Sequence, residues 1–232
     1  MSKYVSLPNT WQQLRKFTKA RIALGHVGTG LPLSEVLALK HAHALAKDAI
    51  VARLDLKVLT KKCQKYNIST QVFKSEVSDR LEYLKRPDLG RRLAKNKEYK
   101  KVAKVNILFV ITDGLSANAV NENAFEVLDK LLTEINQNYS IGIAIVEQGR
   151  VAIGDAVAEW YDADFVAVLI GERPGLSSPE SMGIYTTYNP KIGLTDERRN
   201  CISNIHADGL SGKQAAELLK YVIQKSFALK LS

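Results

Sequence analysis

The side chains able to do chemistry gather where apolar runs end. Residues 165–181, FVAVLIGERPGLSSPES, pass from an apolar stretch into the charge pair Glu172 and Arg173, with Pro174 fixing one torsion and Gly171 and Gly175 freeing others. Two further runs end alike: VITDGLSA places Asp113 and Gly114 at its exit, and IVEQGR places Glu147 and Gly149 at its own. Carboxylates and glycines at strand exits suit a ligand loop, because in open α/β sheets ligands bind outside the carboxyl ends of the strands. An acid there can equally cap the next helix and a glycine merely end a strand. Asp113 fits that plainer role at least as well, whereas Glu172 beside Arg173 and Pro174 favours a ligand loop.

Other constellations are weaker. GHVGTG at 25–30 lacks the G-x-G-x-x-G spacing of a phosphate loop and reads as a turn, and no Walker, G-x-S-x-G or H-E-x-x-H pattern occurs. His41 and His43 stand two apart on a predicted helix, point to different faces and cannot share a metal, which leaves them as ordinary, partly buried histidines. Asn204, His206 and Gly209 spell N-x-H-x-x-G, one residue from the D-x-H-x-x-G with which some enzymes supply a cobalt-binding histidine. Neutral Asn cannot orient and polarise the imidazole as a carboxylate would, so a cap or interface role fits His206 better. Cys63 and Cys201 are far apart and outside any C-x-x-C, and are expected to be reduced thiols.

The elements that must position these groups are legible from periodicity. KVNILFVITDGL, SIGIAIVEQG and DFVAVLIGE read as strands, separated by helices over SANAVNENAFEVLDKLLTEINQN and VAIGDAVAEWY. This β-α-β-α-β order predicts an α/β fold: a Rossmann-like parallel sheet with right-handed crossovers over residues 105–232. Residues 1–104 read as a mainly helical region, including a helix capped by Ser34 that runs through EVLALKHAHALAKDAIVARL. At 232 residues and 46% hydrophobic, the chain can bury a sizeable core.

The net charge of +9 is unevenly placed. Between Lys57 and Lys104 there are 15 Lys or Arg against 5 Asp or Glu, whereas from Val105 onward there are 10 against 16. Few aromatics and no recognisable nucleic-acid module accompany the basic segment, so it reads as a solvated or subunit-facing surface and nucleic acid is not expected. No apolar run is long enough for a bilayer and residues 1–20 lack a signal-peptide centre, which predicts no membrane contact and a cytoplasmic chain.

Five segments together extend the reading: EYLKRPDLGRRL at 82–93, VITDGLSANAVNEN at 110–123, VEQGRVAIGD at 146–155, LIGERPGLSSPESMGIY at 169–185 and RNCISNIHADGLS at 199–211. In this order they resemble the small subunit of ethanolamine ammonia-lyase, and ARIALGHVGTGLP at 20–32 fits its beginning. The resemblance implies an adenosylcobalamin-dependent radical enzyme that converts ethanolamine to acetaldehyde and ammonia as a hetero-oligomer. Its large subunit holds the substrate, and this chain alone is inactive and carries no catalytic residue. The family's cobalamin contacts fall on Val151, Glu172 and Cys201, with cobalamin bound base-on, its own benzimidazole still on cobalt. The resemblance leaves open the number of subunits and enclosure in a bacterial microcompartment. Two other readings stay open. A free-standing nucleotide-binding α/β protein would need a phosphate cradle where TDGLSANAV offers only Gly114, and a purely structural subunit would need no cobalamin contact.

Overall fold

The computed structural model describes residues 10–95, 99–100, 102–135 and 138–232. Asn136 and Gln137, at the end of the helix predicted through Asn138, lie outside the described residues. The helices are α1 (Leu33–Val51), α2 (Leu56–Gln64), α3 (Arg80–Lys85), α4 (Ala117–Ile135), α5 (Ile153–Trp160) and α6 (Gly212–Leu229). The strands are β1 (Thr70–Lys74), β2 (Ile107–Thr112), β3 (Ile141–Glu147), β4 (Phe165–Gly171), β5 (Met182–Tyr188) and β6 (Asn200–Ile205). Among the described residues no helix is long and apolar enough to cross a membrane.

All six strands form one sheet in the order β1-β3-β2-β4-β5-β6. The strands β2, β3 and β4 pair in parallel as the alternating helices predict. They read as unbroken apolar runs because both sheet faces are covered. Phe109, Ile111, Ile143, Ile145, Ala167 and Leu169 pack under α2, α4 and α6, while their alternates Leu108, Val110, Ala144, Val146, Val166 and Val168 pack under α5.

The sheet as a whole is mixed rather than parallel, which corrects the sequence expectation. Only residues 172–181 connect β4 to β5, too few for a crossover, so the chain doubles back and β5 runs antiparallel to β4; β6 does the same against β5. The opposite edge strand, β1, comes from the region read as helix and loop and pairs in parallel with β3. The predicted Ser34 cap is also corrected: the cap position is Pro32, two residues earlier, and its carbonyl accepts the N–H groups of Glu35 and Val36 at 3.0 and 3.2 Å. GHVGTG is a turn, closed by two backbone bonds between Val27 and Gly30.

Helix α1 leaves most of its apolar side uncovered. Only Ala46 and Ala49 are buried, whereas Leu33, Leu37, Leu39 and Leu45 are exposed. His41 and His43, expected to be partly buried, are exposed as well. The segment before α1 adds Trp11 and Phe17 to this surface. It crosses toward the carboxyl ends of the strands, for Lys19 pairs with Asp208 beyond β6 and the Ile50 carbonyl accepts Arg80 Nε at 2.7 Å beside the exit of β2.

Candidate functional site

The chain leaves β2 for α4, reaches β3 on one side of β2, and returns through α5 to β4 on the other. The exits of β2 and β4 therefore flank the switch point of the sheet, where α/β folds place ligands. Here the two loops close on each other. Leu115 N–H donates to the Gly171 carbonyl at 2.9 Å, and a Cβ on Gly171 would sit 2.0 Å from the Ser116 oxygen. Gly171 thus serves close approach, and neither it nor Gly175 adopts positive φ; Gly114 does, at 53°.

Asp113 is buried beneath this contact. Its carboxylate faces the backbone amides of Gln148 and Gly149 and Arg80 Nη1 at 3.4 Å; the Gly149 N–H donates to Thr112 Oγ1 at 3.0 Å, and Ser116 Oγ, not Asp113, accepts the Ala119 N–H at the start of α4. Burial pushes the Asp113 carboxyl up to about 6, with Arg80 and the amides opposing. A folded-state value above the unfolded one means that the native chain holds a proton the unfolded chain has released, so stability is lost as pH rises from roughly 4 through 6. The shift of about two units corresponds to roughly 3 kcal/mol. Asp113→Asn is expected to flatten this loss between pH 4.5 and 7.5 in urea unfolding; parallel pH profiles for variant and wild type would contradict it.

Tyr83 forms the next layer. It is fully buried, donates through its hydroxyl to the Gly149 carbonyl at 2.9 Å, and is sandwiched by the Arg80 and Arg150 guanidinium groups at 4.6 and 4.2 Å from its ring centroid. Burial pushes its phenol up. Helix α3 thereby braces the β3 exit: Arg150 Nη2 donates to the Tyr83 carbonyl and Arg150 N–H to the Gly90 carbonyl.

Above this layer opens a cavity of ≈ 420 Å³. Leu115, Val151 and Ile170 give it an apolar wall, and Arg150, Glu172, Arg173 and Tyr185 a polar one. Two of the sequence-derived site residues, Val151 and Glu172, meet here. Glu172 makes no ion pair with Arg173 among the described residues; its Oε2 accepts Ser181 Oγ at 2.5 Å and the Asn204 N–H at 3.3 Å, which ties the GERPG loop to β6. Glu147 is absent from the lining.

Cys201 stands opposite Tyr185, its partner in the β5–β6 register, with its thiol beside that phenol. Burial pushes Tyr185 up to about 12 and raises the Cys201 thiol, which stays free and exposed. Residue Cys201 borders a separate apolar groove of ≈ 790 Å³ between β6 and α6 and is not part of the strand-exit lining. Val151 and Glu172 thus line one cavity with Tyr185, whose register partner is Cys201, and Arg150 and Tyr185 are the lining residues that sequence reasoning did not name. The alternation in MGIYTTY was the available signal for Tyr185; Arg150 had none beyond its place beside Gly149.

Two other side chains complete the geometry. Asp155 and Arg199, each 1% exposed, form a bidentate pair at 3.0 and 2.6 Å that joins α5, four residues past Val151, to the start of β6, two residues before Cys201. His206 has both ring nitrogens engaged: Nδ1 accepts the Asp208 N–H at 3.3 Å, and Nε2 lies 2.9 Å from Asn204 Oδ1. The N-x-H-x-x-G segment is thus a closed turn, in which a Cβ on Gly209 would lie 2.4 Å from the Asn204 oxygen.

A family model described as ethanolamine ammonia-lyase light chain matches residues 8–232. The chain belongs to that family. It is 42% identical to the ethanolamine ammonia-lyase small subunit of Pseudomonas fluorescens (strain Pf0-1) over 97% of this chain and 85% of the relative. Small subunits from Xanthomonas campestris pv. campestris (strain B100) and Ralstonia nicotianae are each 43% identical, over 97% and 94% of this chain and 86% and 84% of theirs. Family membership assigns the chain to the lyase family that its five motifs resemble.

Proposed function

We propose that this chain is the small subunit of an adenosylcobalamin-dependent ethanolamine ammonia-lyase. With a large subunit that holds ethanolamine, it forms the hetero-oligomer that yields acetaldehyde and ammonia. The match to the light-chain family across nearly the whole chain carries this reading. Residues 105–232, completed by β1, form the Rossmann-like, cobalamin-binding part, and the remainder of residues 1–104 supplies the surface that faces the large subunit, with the basic segment aiding encounter and register. The assembly works in the bacterial cytoplasm.

The strand-exit cavity supports cobalamin contact. A corrin with its nucleotide arm is larger than ≈ 420 Å³, so this chain would hold one edge of it while the partner encloses the rest. The chemistry of the lining fits such a group: Leu115, Val151 and Ile170 suit an apolar ring edge, and the Glu172 Oε1 oxygen, left over from the Ser181 and Asn204 contacts at Oε2, suits an amide donor. Arg150 adds a cationic group to the lining, and its Nε has no partner among the described residues. Cys201 would touch the same group from β6. The engagement of both His206 nitrogens supports base-on binding, since neither is free for cobalt.

Bound adenosylcobalamin would supply a radical through cobalt–carbon homolysis. This chain's residues orient the cofactor and exclude water from one side; none moves a proton in the reaction. The purified chain alone is expected to show no ethanolamine turnover, and acetaldehyde formation is expected to appear on adding large subunit and adenosylcobalamin. Turnover by the chain alone would overturn the division of labour. Full activity with a small subunit in which cobalamin leaves residues 146–176 unprotected from hydrogen exchange would favour a purely structural subunit.

A further inference from the structure

Arg150 is built into the fold by three of its groups and left open at a fourth. Its backbone N–H donates to the Gly90 carbonyl at 2.7 Å, its Nη2 to the Tyr83 carbonyl at 3.1 Å, and its guanidinium plane rests 4.2 Å from the Tyr83 ring centroid. Its Nε is buried and has no partner among the described residues. A buried charged donor without an acceptor is costly, and folds keep few of them. Arg150 lines the strand-exit cavity, and so does Arg173, which makes no ion pair among the described residues. The one carboxylate in the lining, Glu172, already accepts two donors at Oε2. The cavity therefore offers two cations, one of them rigidly held, against one partly committed anion. Guanidinium groups suit phosphate, because their planar array of donors matches its oxygens.

We infer that Arg150, assisted by Arg173, binds an anionic phosphate ester, the phosphodiester of the cofactor's nucleotide arm. The inference rests on the cobalamin reading above and deepens it. It also assigns the cavity an orientation: the phosphodiester lies at Arg150 and Arg173, and the corrin edge lies against the apolar wall of Leu115, Val151 and Ile170. Tyr83 is the support, since its buried ring fixes the Arg150 plane from below.

The test compares two corrinoids on the assembled complex of large and small subunits. Cobalamin carries the nucleotide arm with its phosphodiester, whereas cobinamide lacks the benzimidazole ribonucleotide and that diester linkage. Binding is followed by the change in the corrin absorption spectrum. Arg150→Gln should weaken cobalamin by roughly ten- to a hundredfold, the range for loss of a hydrogen bond to a charged group. Cobinamide binding should change by less than about twofold, on the same argument that it lacks the anion. Arg173→Gln, at an exposed position, should weaken cobalamin in the same direction with the melting temperature of the cofactor-free complex unchanged. Equal weakening of both corrinoids by Arg150→Gln would overturn the inference and leave Arg150 as a brace for the loop. Unchanged cobalamin affinity in both variants would overturn it as well. A wild-type complex that binds neither corrinoid would instead overturn the cobalamin reading itself.

Discussion

Arg199→Ala is expected to destabilise the protein by about 3–5 kcal/mol, the cost of stranding one member of a buried ion pair. All five guanidinium N–H groups have acceptors: two go to Asp155, one to Thr187 Oγ1 at 2.8 Å, one to the Leu194 carbonyl at 3.2 Å and one to Asp196 at 3.3 Å. Truncation leaves the Asp155 carboxylate 1% exposed with no counter-charge. At roughly 2–4 °C per kcal/mol for a domain of this size, the melting temperature should fall by about 6–20 °C. Arg199→Lys should rescue little, because an ammonium cannot span both carboxylate oxygens and the three further acceptors. The double variant Asp155→Ala/Arg199→Ala should lose less than the sum of the single variants, since it strands no charge. A drop below about 1 kcal/mol for Arg199→Ala, within the range of exposed pairs, would sink the argument. Because the pair ties the Val151 loop to the Cys201 strand, its loss should also loosen the two ends of the proposed cofactor site relative to each other.

That pair shows what the sequence could and could not reveal. ILFVIT and FVAVLIG announced β2 and β4 because both faces of these strands are buried, so nearly every position is apolar and no partner need be known. TQVFK carries three polar residues in five and buries only Phe73 fully; its identity as a strand comes from pairing with β3, which composition does not encode. NCISNI is the opposite edge, with four of its six residues exposed, and was equally silent. The exit residues Glu172 and Gly171 could be placed because strand ends are local features. Asp155 and Arg199 could not be joined, since 44 residues separate them, and neither could Tyr83 and Arg150, at a separation of 67. Ser34 looked like a cap by type, yet the Pro32 carbonyl takes the role because the fixed proline torsion already ends the extended segment there. The family resemblance supplied Cys201, and the structure supplied Tyr185, which lines the cavity and pairs with Cys201 in the sheet.

Replacing Phe17 and Leu37 together is expected to weaken association with the large subunit by roughly a thousandfold while leaving the isolated chain as stable as before. Phe17 is 86% exposed and Leu37 54%, with Leu33 at 71% beside them, so these side chains contribute little to the chain's own core. A surface of this apolar character calls for a covering partner. Its position supports the large subunit as that partner. The segment carrying Phe17 reaches Asp208 at the carboxyl end of the sheet through Lys19, and α1 ends against Arg80 beside the exit of β2. A subunit covering this surface would therefore also close the cavity of Val151 and Glu172. Removing everything before Lys104 would be a poor test, because Leu59, Cys63, Phe73 and Tyr83 belong to the core and β1 is part of the sheet. Point substitutions separate the two roles. Each central side chain in an interface is worth about 2 kcal/mol or more on truncation, so two give about 4 kcal/mol, or roughly three powers of ten in affinity. Exposed substitutions usually move stability by less than about 0.5 kcal/mol. The measurement is a titration of Phe17→Ala/Leu37→Ala and wild-type chain with large subunit, paired with thermal unfolding of each chain alone. Unchanged affinity would show that the large subunit docks elsewhere, and a lowered melting temperature of the chain alone would show that these side chains support its own fold.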